Sequence, residues 1–290
     1  MVKIFDFKCT FENNLIVDKN TLIENGIEFP DAYLNKETIV KYAKMRKNIG
    51  NVNFVELPFC HTCLAEAYGG IINYGDEVNG PRVKEFAYKD VYSFIEEATI
   101  SFDIGRILEY LMATRELSGD SEDIVYEVEG PLTILNNLVN TSELFKTLKK
   151  NIELIEKAFN KIEIDLYEYI KRIIKNGARY ISIADPSAGV NILGSKMLEE
   201  YINVFAYRFI KNATEMAVNN NVMIVLCTKL TLALYNLKKI RFKNIKLEKE
   251  MKYFNALKEK IGKVFLIGQM CIKNRGYVLS PPFLKELEFI

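Results

Sequence analysis

Histidine is the scarcest reactive residue in this chain: it occurs once, as His61, among 290 residues. Any mechanism needing two imidazoles is thereby excluded, including a zinc site built on HExxH. Charge of one sign is missing as well. Lysine and arginine total 39 against 38 acidic residues, so there is no global basic field to attract nucleic acid or an anionic membrane surface. Proline is limited to seven residues, and no stretch of about 18 uncharged apolar residues reads as a membrane span. Residues 1–6 show no basic segment followed by a long apolar run, so the sequence predicts a cytoplasmic protein. The glycine-rich turns GxGxxG and GxxxxGK[ST] are also absent, which removes the phosphate-binding signature that often opens a doubly wound sheet.

What is present suits an ordinary globular protein: 49% hydrophobic and 27% charged residues, enough for a sizeable core in one domain. Five cysteines, Cys9, Cys60, Cys63, Cys227 and Cys271, are an odd number in a large chain without an export signal. That argues against a disulfide framework and leaves free thiols or metal ligands.

Short β-rich runs alternate with amphipathic helices. Residues 1–50 read as an extension containing a helix over 36–45 that starts at Asn35. Strands are expected at 52–59, 123–128, 180–184, 222–227, 244–247 and 264–268. Helices are expected at 63–68, 103–117, 142–175 with a break near Asn160, 195–218, 230–237 and 249–261. Residues 71–91 read as a looser segment. This order predicts an α/β fold with a parallel sheet, and the missing phosphate turn favours a (β/α)8 TIM-type barrel over residues 1–290, with 1–50 packed on it. The stretch 276–290 is expected to be an abbreviated last strand or helix.

In a parallel barrel the loops after the strands converge on one mouth, so side chains there are the first candidates for chemistry. Cys60-His61-Thr62-Cys63 follows the first strand and holds the only histidine; it can be read as metal ligands, a redox pair or ordinary packing. Glu66 is one helical turn beyond Cys63. Asp185, fixed between an apolar strand and Pro186, is a candidate acid, base or support, or simply a turn cap. Cys227 and Cys271 each close an apolar strand, which suits zinc but equally suits buried thiols behaving as small hydrophobes.

Leu57-Pro58-Phe59-Cys60-His61-Thr62-Cys63-Leu64-Ala65-Glu66-Ala67-Tyr68-Gly69, Tyr74-Gly75-Asp76, Glu129-Gly130-Pro131-Leu132-Thr133 and Ile183-Ala184-Asp185-Pro186-Ser187-Ala188 together resemble the uroporphyrinogen decarboxylase superfamily, in its branch of methylcobamide:coenzyme M methyltransferases. The resemblance implies a (β/α)-barrel enzyme that moves a methyl group from a methylcobamide, carried by a partner corrinoid protein, to a small thiol activated on zinc. It implies metal ligands at Cys227 and Cys271, with Val225 standing where the branch has histidine; His61, on a neighbouring loop, is the candidate substitute by its position alone. It gives Asp185 and Glu66 catalytic roles and Cys60, Tyr74 and Ser187 contacts to substrate. The corrinoid would belong to a partner, since the chain has no DxHxxG-type motif. Two alternatives stand beside this: a decarboxylase, disfavoured because residues 60–68 contain no arginine to bind a polycarboxylate, and a degenerate barrel that only binds a corrinoid or partner.

Overall fold

The computed structural model of the chain describes residues 15 and 17–290; Cys9 and the first part of the expected extension lie outside them. The strands are β1 (Val55–Leu57), β2 (Ile71–Asn73), β3 (Arg82–Glu85), β4 (Ile124–Glu129), β5 (Tyr180–Ala184), β6 (Met223–Leu226), β7 (Ile240–Lys246), β8 (Met251–Lys252), β9 (Leu266–Ile267), β10 (Val278–Leu279) and β11 (Phe283–Phe289). Seven of them form one sheet in the order β1-β4-β5-β6-β9-β11-β7. The run from β1 to β9 is parallel; β11 then runs antiparallel to both β9 and β7. The remaining strands pair as β2 with β3 and β8 with β10.

Alternation of side chains divides the interior in two. Ile124, Tyr126, Val128, Ile181, Ile183, Ile224 and Leu226 face the large cluster shared with the helices. Val125, Tyr180, Met223, Val225 and Ile267 face a second cluster with Tyr253, Phe254 and Leu257. Burial on both faces explains why β4, β5 and β6 read as nearly continuous apolar runs.

The α/β class and the parallel order are as expected, but the described strands do not close into a ring: β1 and β7 are the two edges. The inner side of β1 is met instead by the chain between β8 and β10. Phe54 packs on Phe254 with ring centres 4.2 Å apart, and Asn53 donates to Asn255 at 3.3 Å. Higher up, Arg275 Nη2 reaches Glu56 Oε2 of β1 at 2.6 Å, and Lys273 Nζ reaches Glu127 Oε1 of β4 at 2.8 Å. The expected C-terminal remnant is thus β10 and β11.

Helix limits follow local capping. Lys36–Ile49 starts where expected, with the Asn35 side chain accepting the Thr38 N–H at 3.0 Å, and it packs on β1 and on the Gly105–Gly119 helix. The long helical stretch breaks at Asn151, not near Asn160, giving Thr141–Lys150 and Ile152–Lys175. Asn151 accepts the Leu154 N–H at 3.1 Å and so caps the second helix. Among the described residues no helix is long and apolar enough to cross a membrane.

Candidate functional site

The carboxyl ends of β1, β4, β5, β6 and β9 all lead to the same end of the parallel arc, and each is followed by a polar or thiol side chain. After β1, Cys60 Sγ lies 3.8 Å from Cys63 Sγ and 3.4 Å from Thr62 Oγ1. Their organiser is Arg106, from the start of the Gly105–Gly119 helix and only 3% exposed. Its Nη1 donates to Cys60 Sγ at 3.3 Å and its Nη2 to Thr62 Oγ1 at 2.9 Å. Nη2 also lies 2.6 Å from Glu66 Oε2, while Tyr74 donates its hydroxyl to Glu66 Oε1 at 3.0 Å and lays its ring 5.4 Å from the guanidinium carbon. Cys60, Glu66 and Tyr74, expected near the substrate, are therefore one connected group.

Arg106 was not singled out from the sequence. The signal was there: it falls on the buried stripe Arg106, Tyr110, Ala113, Leu117 of its helix, and an arginine on a core-facing stripe needs partners. Its charge has a consequence for the thiols. The hydrogen bond from Cys63 and, against the cost of burial, the guanidinium hold the Cys60 thiol well below its ordinary range. Burial, together with the hydrogen bond to Cys60, pushes Cys63 well above it. Glu129, at the end of β4 and 2% exposed, is pushed well above the usual carboxylate range by burial and then by the Cys60 charge. Its Oε2 has no hydrogen-bond partner.

Asp185 is saturated. Its carboxylate accepts the N–H groups of Leu132 at 3.1 Å and Thr133 at 2.9 Å, the Thr133 hydroxyl at 2.6 Å and the Tyr201 hydroxyl at 2.8 Å. Burial outweighs these bonds and raises its pKa. The side chain fastens the first turn of the Pro131–Leu138 helix to the loop after β5, with Ser187 N–H donating to Thr133 Oγ1 at 3.1 Å. Gly130 makes this approach feasible, because a Cβ there would fall 2.3 Å from Asp185 Oδ2.

On the other side, Cys227 follows β6 and Cys271 follows β9, and the two are close enough for Cys227 to bear on Cys271, whose thiol burial pushes up to about 12. Next to them sit Lys273 and Glu127. Burial opposes ionisation of Glu127, yet Lys273 and His61 hold its carboxyl below the usual range. His61 Nε2 lies 3.2 Å from Glu127 Oε1, and the His61 carbonyl accepts the Asn137 side-chain N–H at 2.6 Å.

The zinc implied by the resemblance can be tested against these donors. Among the described residues no three His, Cys, Asp or Glu side chains are grouped for a metal ion. Val225 is packed in the apolar cluster, and His61 is engaged with Glu127. Two cysteines do not make the closed or three-ligand set that zinc takes in proteins, so the donor set does not fit.

The cleft beside Cys60, about 520 Å³, is lined by Phe59, Cys60, His61, Arg82, Thr133 and Pro186. It joins the thiol pair to the loop after β5. Asp185 lies beneath its floor, buried.

The chain is similar to known methyltransferases. The chain is 25% identical over 234 residues to the methylcobamide:CoM methyltransferase MtaA of Methanosarcina barkeri, covering 79% of this chain and 67% of that protein. It is 25% identical over 197 residues to MtbA, the methylcobamide:CoM methyltransferase of Methanosarcina mazei, covering 67% and 58%. A solved methyltransferase from Methanosarcina mazei superposes with a TM-score of 0.64 at 26% identity, over 76% of this chain and 64% of that one. The chain thus spans about two thirds of the length of such relatives. The model of the uroporphyrinogen decarboxylase (URO-D) family matches residues 14–271, from ahead of the first helix to Cys271 itself, and the chain belongs to that family.

Proposed function

We propose that this chain transfers a methyl group from a methylcobamide, held by a separate corrinoid protein, to a small thiol. The observation that carries the reading is the similarity to methylcobamide:CoM methyltransferases over 79% of the chain, within the family-matched region that ends at Cys271. In the transfer the acceptor sulfur forms the bond to the methyl carbon while the cobalt–carbon bond breaks, its electron pair staying with the cobalt. The acceptor must therefore arrive as thiolate.

No step is routed through zinc, because the donor set does not fit it. The chain's own fixed cation at this place is Lys273, a half-buried ammonium held 2.8 Å from Glu127. Such a charge favours the anionic form of an acceptor thiol that approaches it. Cys271, pushed up to about 12, stays neutral and adds no repulsion. Asp185, Thr133 and Tyr201 fix the mouth loops, which gives Asp185 a positioning role. A decarboxylase reading gains little from Arg106, since that cation is already engaged by Glu66, Thr62 and Cys60.

The test is to incubate the intact chain with methylcobalamin and a panel of small thiols, with metal analysis of the same sample. The expected result is thiol-dependent demethylation that survives a zinc chelator, falls by about tenfold or more in Lys273→Met, and comes from protein with well under one zinc per chain. Zinc content should not change in His61→Ala. Absence of turnover with every thiol, with or without added zinc, would sink the reading.

A further inference from the structure

The pair Cys60 and Cys63 is not used by the proposed methyl transfer, yet it is built for chemistry. Four observations bear on it. The two sulfurs are 3.8 Å apart and face each other with no group between them to block the ~2.05 Å bond of a disulfide. Arg106, almost wholly buried, places one N–H on Cys60 Sγ at 3.3 Å. The two thiols differ in access: Cys60 is half-buried and borders the open cleft, while Cys63 is buried behind it. The Glu129 carboxyl beside them is buried with one oxygen unpartnered, so polar capacity is left unused next to the pair.

We propose that Cys60 and Cys63 form a dithiol that exchanges with small-molecule disulfides entering the cleft, with Cys60 as the attacking sulfur, Cys63 as the resolving sulfur and Arg106 as the residue that holds Cys60 ready. In the first step the Cys60 thiolate attacks one sulfur of RS–SR, forming a Cys60–SR bond while the S–S bond breaks and RS⁻ leaves. In the second, Cys63 attacks Cys60 Sγ, forming the Cys60–Cys63 bond; the remaining RS group leaves with the Cys63 proton as RSH. Two electrons pass from the protein sulfurs to the substrate disulfide, and a dithiol reductant reverses the cycle. The contrast in the thiols' acidity agrees with this division of roles, because a thiolate is the nucleophile in exchange. Cys271 supplies an internal comparison: a half-buried thiol of the same chain with no guanidinium on it.

The experiment exposes the intact, reduced chain to hydroxyethyl disulfide without oxygen, quenches with acid, alkylates, and maps every cysteine by peptide mass. Cys60 should exchange at least about tenfold faster than Cys271, and the wild-type product should be the internal Cys60–Cys63 disulfide. Cys63→Ser should stop at a mixed disulfide on Cys60, Cys60→Ser should leave Cys63 reduced, and Arg106→Lys should slow the Cys60 reaction. Circular dichroism of each variant establishes that it is folded; if one is not, the wild-type rate and product decide alone. Exchange at Cys60 no faster than at Cys271, or a wild-type product that stays a mixed disulfide, overturns the proposal. Methyl transfer is not read in this experiment, so its result stands apart from the function proposed above.

Discussion

Single residues at the strand ends carry opposing electrostatic demands. Glu129 is the sharpest case, a buried carboxyl with an unpartnered oxygen and a raised pKa. A folded-state pKa above the unfolded one means stability that is present below the ordinary glutamate range and is lost as pH rises through the folded value. Replacing Glu129 by Gln removes the ionisable proton while keeping the shape. The variant should therefore be more stable than wild type at pH 8, by about 1 kcal/mol or more, with the gain disappearing as pH falls below ~4. Thermal unfolding across that range checks it; a constant difference at all pH values would refute the assignment. At this scale the sequence revealed the cysteines, Asp185 and Glu66 by type and position. It did not reveal Arg106, Glu127 or Lys273, because their importance comes from partners far along the chain, 44 residues away for Arg106 and Thr62 and 146 for Glu127 and Lys273.

At the scale of elements, the turn after β4 is where packing is least forgiving. Gly130 has ordinary extended backbone, with φ of −78°, so its identity is not required by conformation. It is required by space, since an added Cβ would lie 2.3 to 2.5 Å from the Asp185 side chain, and that side chain is held by four donors and cannot step aside. Gly130→Ala should cost roughly 1–3 kcal/mol, measurable by urea denaturation; a neutral effect would mean that the Asp185 knot is looser than its hydrogen bonds imply. The buried strands β4, β5 and β6 were legible because parallel strands covered on both faces leave an apolar run. The helix break was misplaced because an asparagine within a helix and one at its start look alike in sequence. Asn160 accepts Arg208 Nη2 at 2.6 Å from inside its helix, whereas Asn151 caps. The antiparallel pair β7 and β11 was legible only in part. Its alternating polar positions carry cross-strand ion pairs, Lys243 with Glu286 and Arg241 with Glu288, a pattern easily taken for a solvated helix face.

The whole molecule departs from a strand-closed barrel at one place, and there side chains do the joining. Arg275 and Lys273, just beyond β9, reach back to Glu56 on β1 and Glu127 on β4. Both groups of the Arg275–Glu56 pair are 13% exposed, and removing Arg275 leaves the Glu56 carboxylate to the longer contact with Arg46 at 3.7 Å. Arg275→Ala should cost about 1–2 kcal/mol, less than for a charge left wholly unpaired, and amide hydrogen exchange in residues 271–279 should accelerate well before that in β4 or β5. Uniform acceleration across the sheet would show that the contact has no local role. Sequence periodicity located the strands but could not show this closure, since the spacing of apolar residues says nothing about which edge is met by a ladder and which by charge.

A hydrogen-bonded ring has a circumference fixed by its strand number and stagger. A seam joined by side chains has none. The spacing between β1 and the chain after β9 is held here by side chains, Arg275 on Glu56, Lys273 on Glu127 and Phe254 on Phe54, so it can change by rotamer while every strand keeps its neighbours.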